Sequence, residues 1–302
     1  MSITPLRCRI CDSTRLNNKP FGYNFKDQWL GAVECASCGI IFIDPQPTAE
    51  EFRELYSAEY FEGDFRCGHE GSYFDEQTLN HLGDRDLLGR IMRYKKVGNF
   101  LEIGCAGGAF LNIAREAGYS VRGVEFSPDA ARFASEKFGL DVHTGELESA
   151  NFPAESFDVV FMGDVLEHLP NPVKTMREIN RIMKPKGMVV ILCPMQTNTL
   201  YSRLGFFGYS ILGKKVTVHL PPYHVFEYRA GSMSALVKLC GFELLGKRES
   251  IIPPSRIAQR NSALQNFLKK AFQYPNSVLT KCFNRWGDRI ELYAIKTDSM
   301  KI

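Results

Sequence analysis

From Asn99 onward the sequence alternates short apolar runs with amphipathic ones, and this alternation restricts the fold more than any other feature. NFLEIGC has the look of a short buried strand, and AFLNIAREAG of an amphipathic helix closed by Gly118. SVRGVEF is a second strand, and PDAARFASEKFG a helix that opens at Pro128 and stops at Gly139. LDVHTG and SFDVVFMG read as further strands, a helix follows from about Val173 to Met183, and GMVVILCP is a strong strand. Repeated strand–helix units imply an α/β, doubly wound parallel sheet with helices on both faces. Ligands of such sheets bind at the carboxyl ends of the strands, near the switch in strand order. The stretch FLEIGCAGGAF, residues 100–110, falls there.

Two cofactors compete for that loop. A dinucleotide fingerprint counted from Gly104 needs glycine at 106 and 109, and both are alanine. Ala109 is tolerable, but Ala106 lies where a pyrophosphate must approach the backbone. The other pattern, Glu102-x-Gly104-x-Ala106-x-Gly108, resembles motif I of class I S-adenosylmethionine (SAM)-dependent methyltransferases. Four more stretches resemble that family in order: VRGVEFSP, GELESANFP, FDVVFMGDVLEHLPNP and KPKG, with CGFELLGKRE and RIELYAIK as strands six and seven, the last pair antiparallel. The resemblance covers about residues 97–297. It implies a seven-stranded Rossmann-like methyltransferase sheet that binds SAM through Glu102, Gly104, Cys105, Ala106 and Gly108. Glu125 would take the ribose hydroxyls with Phe126 beside it, Glu146 would face the adenine amino group, Leu147 its ring, and Asp164 the cofactor amine or the substrate. An acid in the place of Glu125 offers two acceptors to a diol.

Four of nine cysteines form two CxxC pairs, Cys8–Cys11 and Cys35–Cys38, with 23 residues between them. Two such pairs complete a tetrahedral thiolate site, for which zinc is the expected ion. Four protein ligands leave no open position, so the expected role is a structural staple for a small N-terminal knuckle. The run CRIC…CASCGIIFIDPQPTAEEFRELYSAEYF resembles the zinc-bearing segment before many bacterial methyltransferase domains, some in sugar or surface-polysaccharide pathways. Cys67 and His69 supply only two ligands and read as loop residues. The chain divides as a zinc-binding segment (1–47), a helical lead-in (48–96) with Thr48 and Glu51 as a capping box, and a methyltransferase domain (97–302).

Methyl transfer to a weak nucleophile needs a base. His168, in LEHLP, and His224, in PPYHVFEY, are the candidates, with His219 behind His224 and Glu167 as a structural acid. The resemblance to amino-methylases of bases is weakened, because Gly163-Asp164-Val165-Leu166 stands where they carry a [D/N/S]PP[Y/F] tetrapeptide. Pro221-Pro222-Tyr223 comes after the fifth strand and is a decoy. The insertion 195–230 is aromatic and glycine-rich, as a lid over a substrate pocket would be. The insertion 253–287 places apolar residues at helical spacing among Lys and Arg, reading as paired basic helices that cover the sheet or touch a membrane surface.

The chain has 302 residues, 44% hydrophobic and 24% charged, with a net charge of +3. That is ample for a core and too weakly basic to argue for nucleic acid. No apolar leader and no spanning run is visible, so a cytoplasmic enzyme with reduced cysteines is expected. The expected reaction is SAM-dependent methylation of a hydroxyl or carbon of a sugar, nucleotide-sugar or glycan. The alternatives are another small metabolite, such as a quinone-like or polyketide hydroxyl, and then an RNA.

Overall fold

The structure is a computed structural model and describes residues 5–55, 85–218, 221–252 and 263–297, without the side chains of Arg53 and of residues 263–270. The chain opens with an antiparallel hairpin, β1 (Leu16–Phe25) and β2 (Gln28–Cys35). Its two turn residues, Lys26 and Asp27, both take positive φ (47° and 60°), as a tight hairpin turn of matching twist requires. β3 (Ile41–Asp44) pairs antiparallel with β2. Residues 1–47 are thus more than the small knuckle their cysteines suggest, because three strands bury Phe21, Leu30, Ile41 and Ile43 among themselves.

Helix α1 (Ala49–Leu55) begins with the capping box read from the sequence: the Glu51 amide donates to Thr48 Oγ1 at 3.2 Å, and the Thr48 amide to Glu51 Oε2 at 2.7 Å. Residues 56–84, with Cys67 and His69, lie outside the described residues. Helix α2 (Arg85–Met92) follows, and its Arg90 grips Glu291 with two bonds of 2.7 and 2.9 Å.

The main sheet contains β4 (Asn99–Ile103), β5 (Ser120–Glu125), β6 (Val142–Thr144), β7 (Phe157–Gly163) and β8 (Met183–Pro194). These five are mutually parallel. Helices α3 (Ala109–Glu116), α4 (Pro128–Phe138) and α5 (Pro172–Ile182) connect them. The central strands read as continuous apolar runs because both faces are covered; Phe100, Leu101, Val159, Val160, Val189 and Ile191 are all buried. β4 has β5 on one side and β7 on the other, so the loop after β4 opens at the switch point.

The stretch expected as a lid supplies two strands to the N-terminal sheet. After helix α6 (Leu200–Ile211), strand β9 (Val216–Val218) joins β1 in parallel and β10 (Phe226–Glu227) joins β3 antiparallel. The N-terminal sheet therefore has five strands in the order β10-β3-β2-β1-β9, two of them contributed from beyond residue 200. Helix α7 (Ala230–Leu239) leads to β11 (Phe242–Ser250), and β12 (Arg289–Lys296) inserts antiparallel between β11 and β8. The main sheet then has seven strands, ordered β11-β12-β8-β7-β4-β5-β6.

The sequence suggested paired helices within residues 253–287, but the described part is one helix, α8 (Ala263–Phe283), that runs through Pro275. Proline there costs one backbone hydrogen bond. Asn276 holds the helix in place next to it: its Oδ1 accepts from the Leu200 amide at 2.9 Å, and its Nδ2 donates to the Trp286 carbonyl at 2.7 Å.

Candidate functional site

The hairpin register sets Leu16 opposite Cys35, and this brings the two CxxC turns together. Cys8 Sγ lies 3.6 Å from Cys38 Sγ and Cys11 Sγ 3.6 Å from Cys35 Sγ, with all four sulfurs within 4.8 Å of one another. Sulfurs about 2.3 Å from one tetrahedral zinc would stand about 3.8 Å apart. Each pair is followed by a left-handed residue, Asp12 (φ 59°) and Gly39 (φ 75°), and the amides of Ile10 and Ser37 point at Cys8 Sγ and Cys35 Sγ. The Cys8–Cys38 contact lowers the Cys8 thiol to about 5 and raises that of Cys38, so one proton is shared between the two sulfurs. The four residues fit zinc, and the site is closed.

The loop after β4 is built on alternate left-handed residues: Gly104 (φ 71°), Ala106 (φ 46°) and Gly108 (φ 79°). A Cβ on Gly104 would overlap Val165 Cγ2, and one on Gly108 would lie 2.6 Å from Leu140 Cδ1. Ala106 alone carries a side chain in this conformation, at a cost of about 1–2 kcal/mol. Its amide donates to Glu125 Oε2 at 2.8 Å, while the Ser127 amide donates to Oε1 at 2.9 Å. The Phe126 amide is a third backbone donor to this carboxylate, which leaves a lone pair for a ligand hydroxyl. Burial raises the Glu125 carboxyl despite these amides.

Glu102 is buried, and its Oε2 has no hydrogen-bond partner among the described residues. Burial, then the Glu125 charge, pushes its carboxyl well above the ordinary range. A tight left-handed cradle, an orphaned carboxyl oxygen and a paired acid at the next strand end fit the tail and ribose of SAM. Phe126 is exposed beside Glu125. Cys105, Glu146 and Leu147 sit in three different settings. The Cys105 thiol turns into the core, where a Cβ on Gly123 would meet it at 2.8 Å, so only its backbone faces the loop. Glu146 is exposed, and Leu147 is buried in the main core, backing the site.

Beyond β7 the chain turns sharply at Asp164 (φ 56°) and forms a short helical turn, Leu166–His168. The Val225 amide donates to the Glu167 carbonyl at 3.0 Å, which brings His224 over this turn. The two imidazoles meet edge to face with centroids 4.8 Å apart. Glu167 Oε1 lies 3.7 Å from His168 Nε2 and 4.0 Å from His224 Nε2, and no hydrogen-bond partner for this buried oxygen is found among the described residues. All three could share one proton, and the spacing could also seat one cation. His168 Nδ1 lies 2.8 Å from the Tyr223 carbonyl and so donates to it, leaving Nε2 as the basic nitrogen. Burial lowers His168, and lowers His224 to about 3, keeping both rings neutral. Burial, reinforced by Asp164, pushes Glu167 well above the carboxylate range. The structure thus joins both predicted histidines and promotes Glu167 from structural acid to a member of the group. His219 lies outside the described residues.

Sequence reasoning missed two further residues. Arg289, at the start of β12, donates to both oxygens of Asp164 at 2.6 Å, so Asp164 already has a cationic partner. Glu227 is buried 4.0 Å from His224 Nδ1 and raised by burial to about 7. Arg289 meets Asp164 only because β12 pairs with β8, and Glu227 is buried only because β10 pairs with β3. A separate groove of about 710 Å³ runs between the knuckle and α5, with Arg7, Arg9, Lys174, Arg177 and Arg181 on its walls; it shares none of the loop or histidine residues.

Residues 101–191 match the family described as a methyltransferase domain. A ubiquinone biosynthesis O-methyltransferase of Azoarcus sp. is 28% identical over 156 residues, 48% of this chain and 64% of that protein. The 2-methyl-6-phytyl-1,4-hydroquinone methyltransferase of Synechocystis sp. is 31% identical over 100 residues, 30% of each chain. The chain thus spans less than two thirds of the length of these curated relatives. The crystal structure of the cyclase SpnF superposes with a TM-score of 0.54 at 17% identity, over 84% of this chain and 99% of that one. That likeness concerns the fold alone, since one fold hosts unrelated reactions.

Proposed function

We propose that this chain, which carries a class I SAM-dependent methyltransferase domain, methylates a hydroxyl or acidic carbon of a small-molecule acceptor. The observation that carries this reading is the Glu167–His168–His224 group, which lies beyond the carboxyl end of β7 and just before β10, next to the loop that Val165 packs against. Bound SAM would supply an electrophilic methyl, held by the Gly104–Gly108 loop, Glu102 and Glu125. His168, neutral and with Nε2 as its basic nitrogen, takes the acceptor's proton, and His224 packs edge to face against it. The Glu167 carboxyl, 3.7 Å from His168 Nε2, flanks that nitrogen. Burial of Glu167 and the low exposure of both imidazoles strengthen the charge interactions among them.

The acceptor class follows the quinone-like alternative better than the sugar or glycan expectation. Relatives matched over the motif region are named for ubiquinone and hydroquinone methylation. A phenolic hydroxyl suits a neutral imidazole base, because its pKa of about 10 makes proton transfer less steep than from a sugar alcohol. The knuckle resemblance alone favours sugars. A cofactor-consumption screen across catechols, hydroquinones, nucleotide sugars and extracted glycans tests the reading. Turnover of a phenol supports it, turnover of sugars alone reverses the acceptor class, and no binding of millimolar SAM removes the enzymatic reading.

A further inference from the structure

Helices α6 and α8 are inside out. On α6, Leu204, Phe207 and Ile211 recur at helical spacing on one stripe, and they are 51%, 66% and 69% exposed. The helix docks by its other side, where Phe206 stacks on Phe21 of β1 with centroids 4.8 Å apart. On α8 the inward residues are polar, Asn276, Ser277 and Thr280, while Tyr274 and Val278 are 61% and 60% exposed. The two helices touch through Tyr201 and Phe272, whose rings lie 5.7 Å apart, and through the Leu200–Asn276 bond. Soluble chains rarely present such adjoining apolar surface without something to cover it.

Charge says what covers it. Residues 195–226 and 251–287 contain no Asp or Glu and hold nine Lys or Arg. Lys214, Lys215, Lys281 and Arg285, beside the apolar ends of the two helices, are exposed. A second copy of the same face would bring like charges together. No helix among the described residues is long and apolar enough to cross a membrane. We infer that α6 and α8 form a surface that lies on an anionic phospholipid bilayer, with the apolar stripe in the headgroup boundary and the cations against lipid phosphates. The inference stands apart from the methyl-transfer reading, since neither helix supplies a residue of the loop or of the histidine group. Phe267, a natural first choice for substitution, has its side chain outside the described residues, so α6 supplies the variants.

Sedimentation of the purified full-length chain with vesicles tests this, using phosphatidylcholine alone and with about 30% phosphatidylglycerol. The wild type should pellet with anionic vesicles, less so at 0.5 M salt, and at least tenfold less with neutral ones. Phe207→Asp with Ile211→Asp should abolish pelleting while circular dichroism and SAM binding stay at wild-type values. A Lys214→Gln, Lys215→Gln variant should lower binding to anionic vesicles selectively. Absence of vesicle binding at low salt, or equal binding to neutral vesicles, overturns the inference. So does a concentration-dependent dimer lost in the Asp variants without any vesicle binding, which would assign the face to a second copy.

Discussion

The amide of Ala106 donates to Glu125 Oε2 at 2.8 Å, so the loop after one strand is tied to the acid that ends the next. That bond forms only because Ala106 adopts φ 46°, turning its N–H toward β5. The alanine is therefore a strained member of the loop, kept where glycine would be relaxed.

Ala106→Gly should bind SAM within about 0.5 kcal/mol of wild type, since relieved strain and added chain freedom oppose each other. Gly104→Val should abolish binding, because its branched side chain collides with Val165. Calorimetry on both, with circular dichroism to verify folding, decides the matter.

Glu125→Ala removes the acceptor of two backbone amides as well as a ligand contact. SAM affinity should fall by about 1–3 kcal/mol. Unchanged affinity would mean that the ribose lies elsewhere.

His168→Asn should lower kcat roughly 100- to 10,000-fold on an acceptor found by the screen, leaving SAM affinity within a few-fold. Equal turnover of mutant and wild type would exclude His168 as the base.

Removing the knuckle should reach the histidine group through the sheet. β10 pairs with β3, and His224 stands two residues before β10. Cys35→Ser should reduce bound zinc, lower Tm and reduce kcat more than SAM affinity. Metal analysis should give one zinc per wild-type chain and a fraction of that in the variant.

Glu227→Gln should stabilise the protein at high pH. The folded carboxyl is raised to about 7 against about 4.5 unfolded, so folding favours its protonated form. Its contribution is present below about pH 4.5 and is lost as pH rises through 7. At pH 8 the substitution should gain up to about 3 kcal/mol, and at pH 4 almost nothing. Thermal melts at both values measure the difference.

The sequence by itself determined the main sheet and most of the binding loop. Apolar runs of strand length, Pro128 at a helix start and glycines at left-handed positions are local signals, because burial period and backbone sterics act over a few residues. The cysteine pairs were legible for the same reason: two short, similar motifs carry their own geometry. The acid–histidine group, the Asp164–Arg289 pair and the five-stranded N-terminal sheet were not. Each depends on segments meeting across more than 50 residues, and no local pattern encodes which segment lies next to which. The tertiary structure also decided which way α6 and α8 face. Their spacing of apolar residues announces helices with a stripe, but a stripe does not say whether core or solvent receives it, and here packing on β1 and the Asn276 bonds turned it outward.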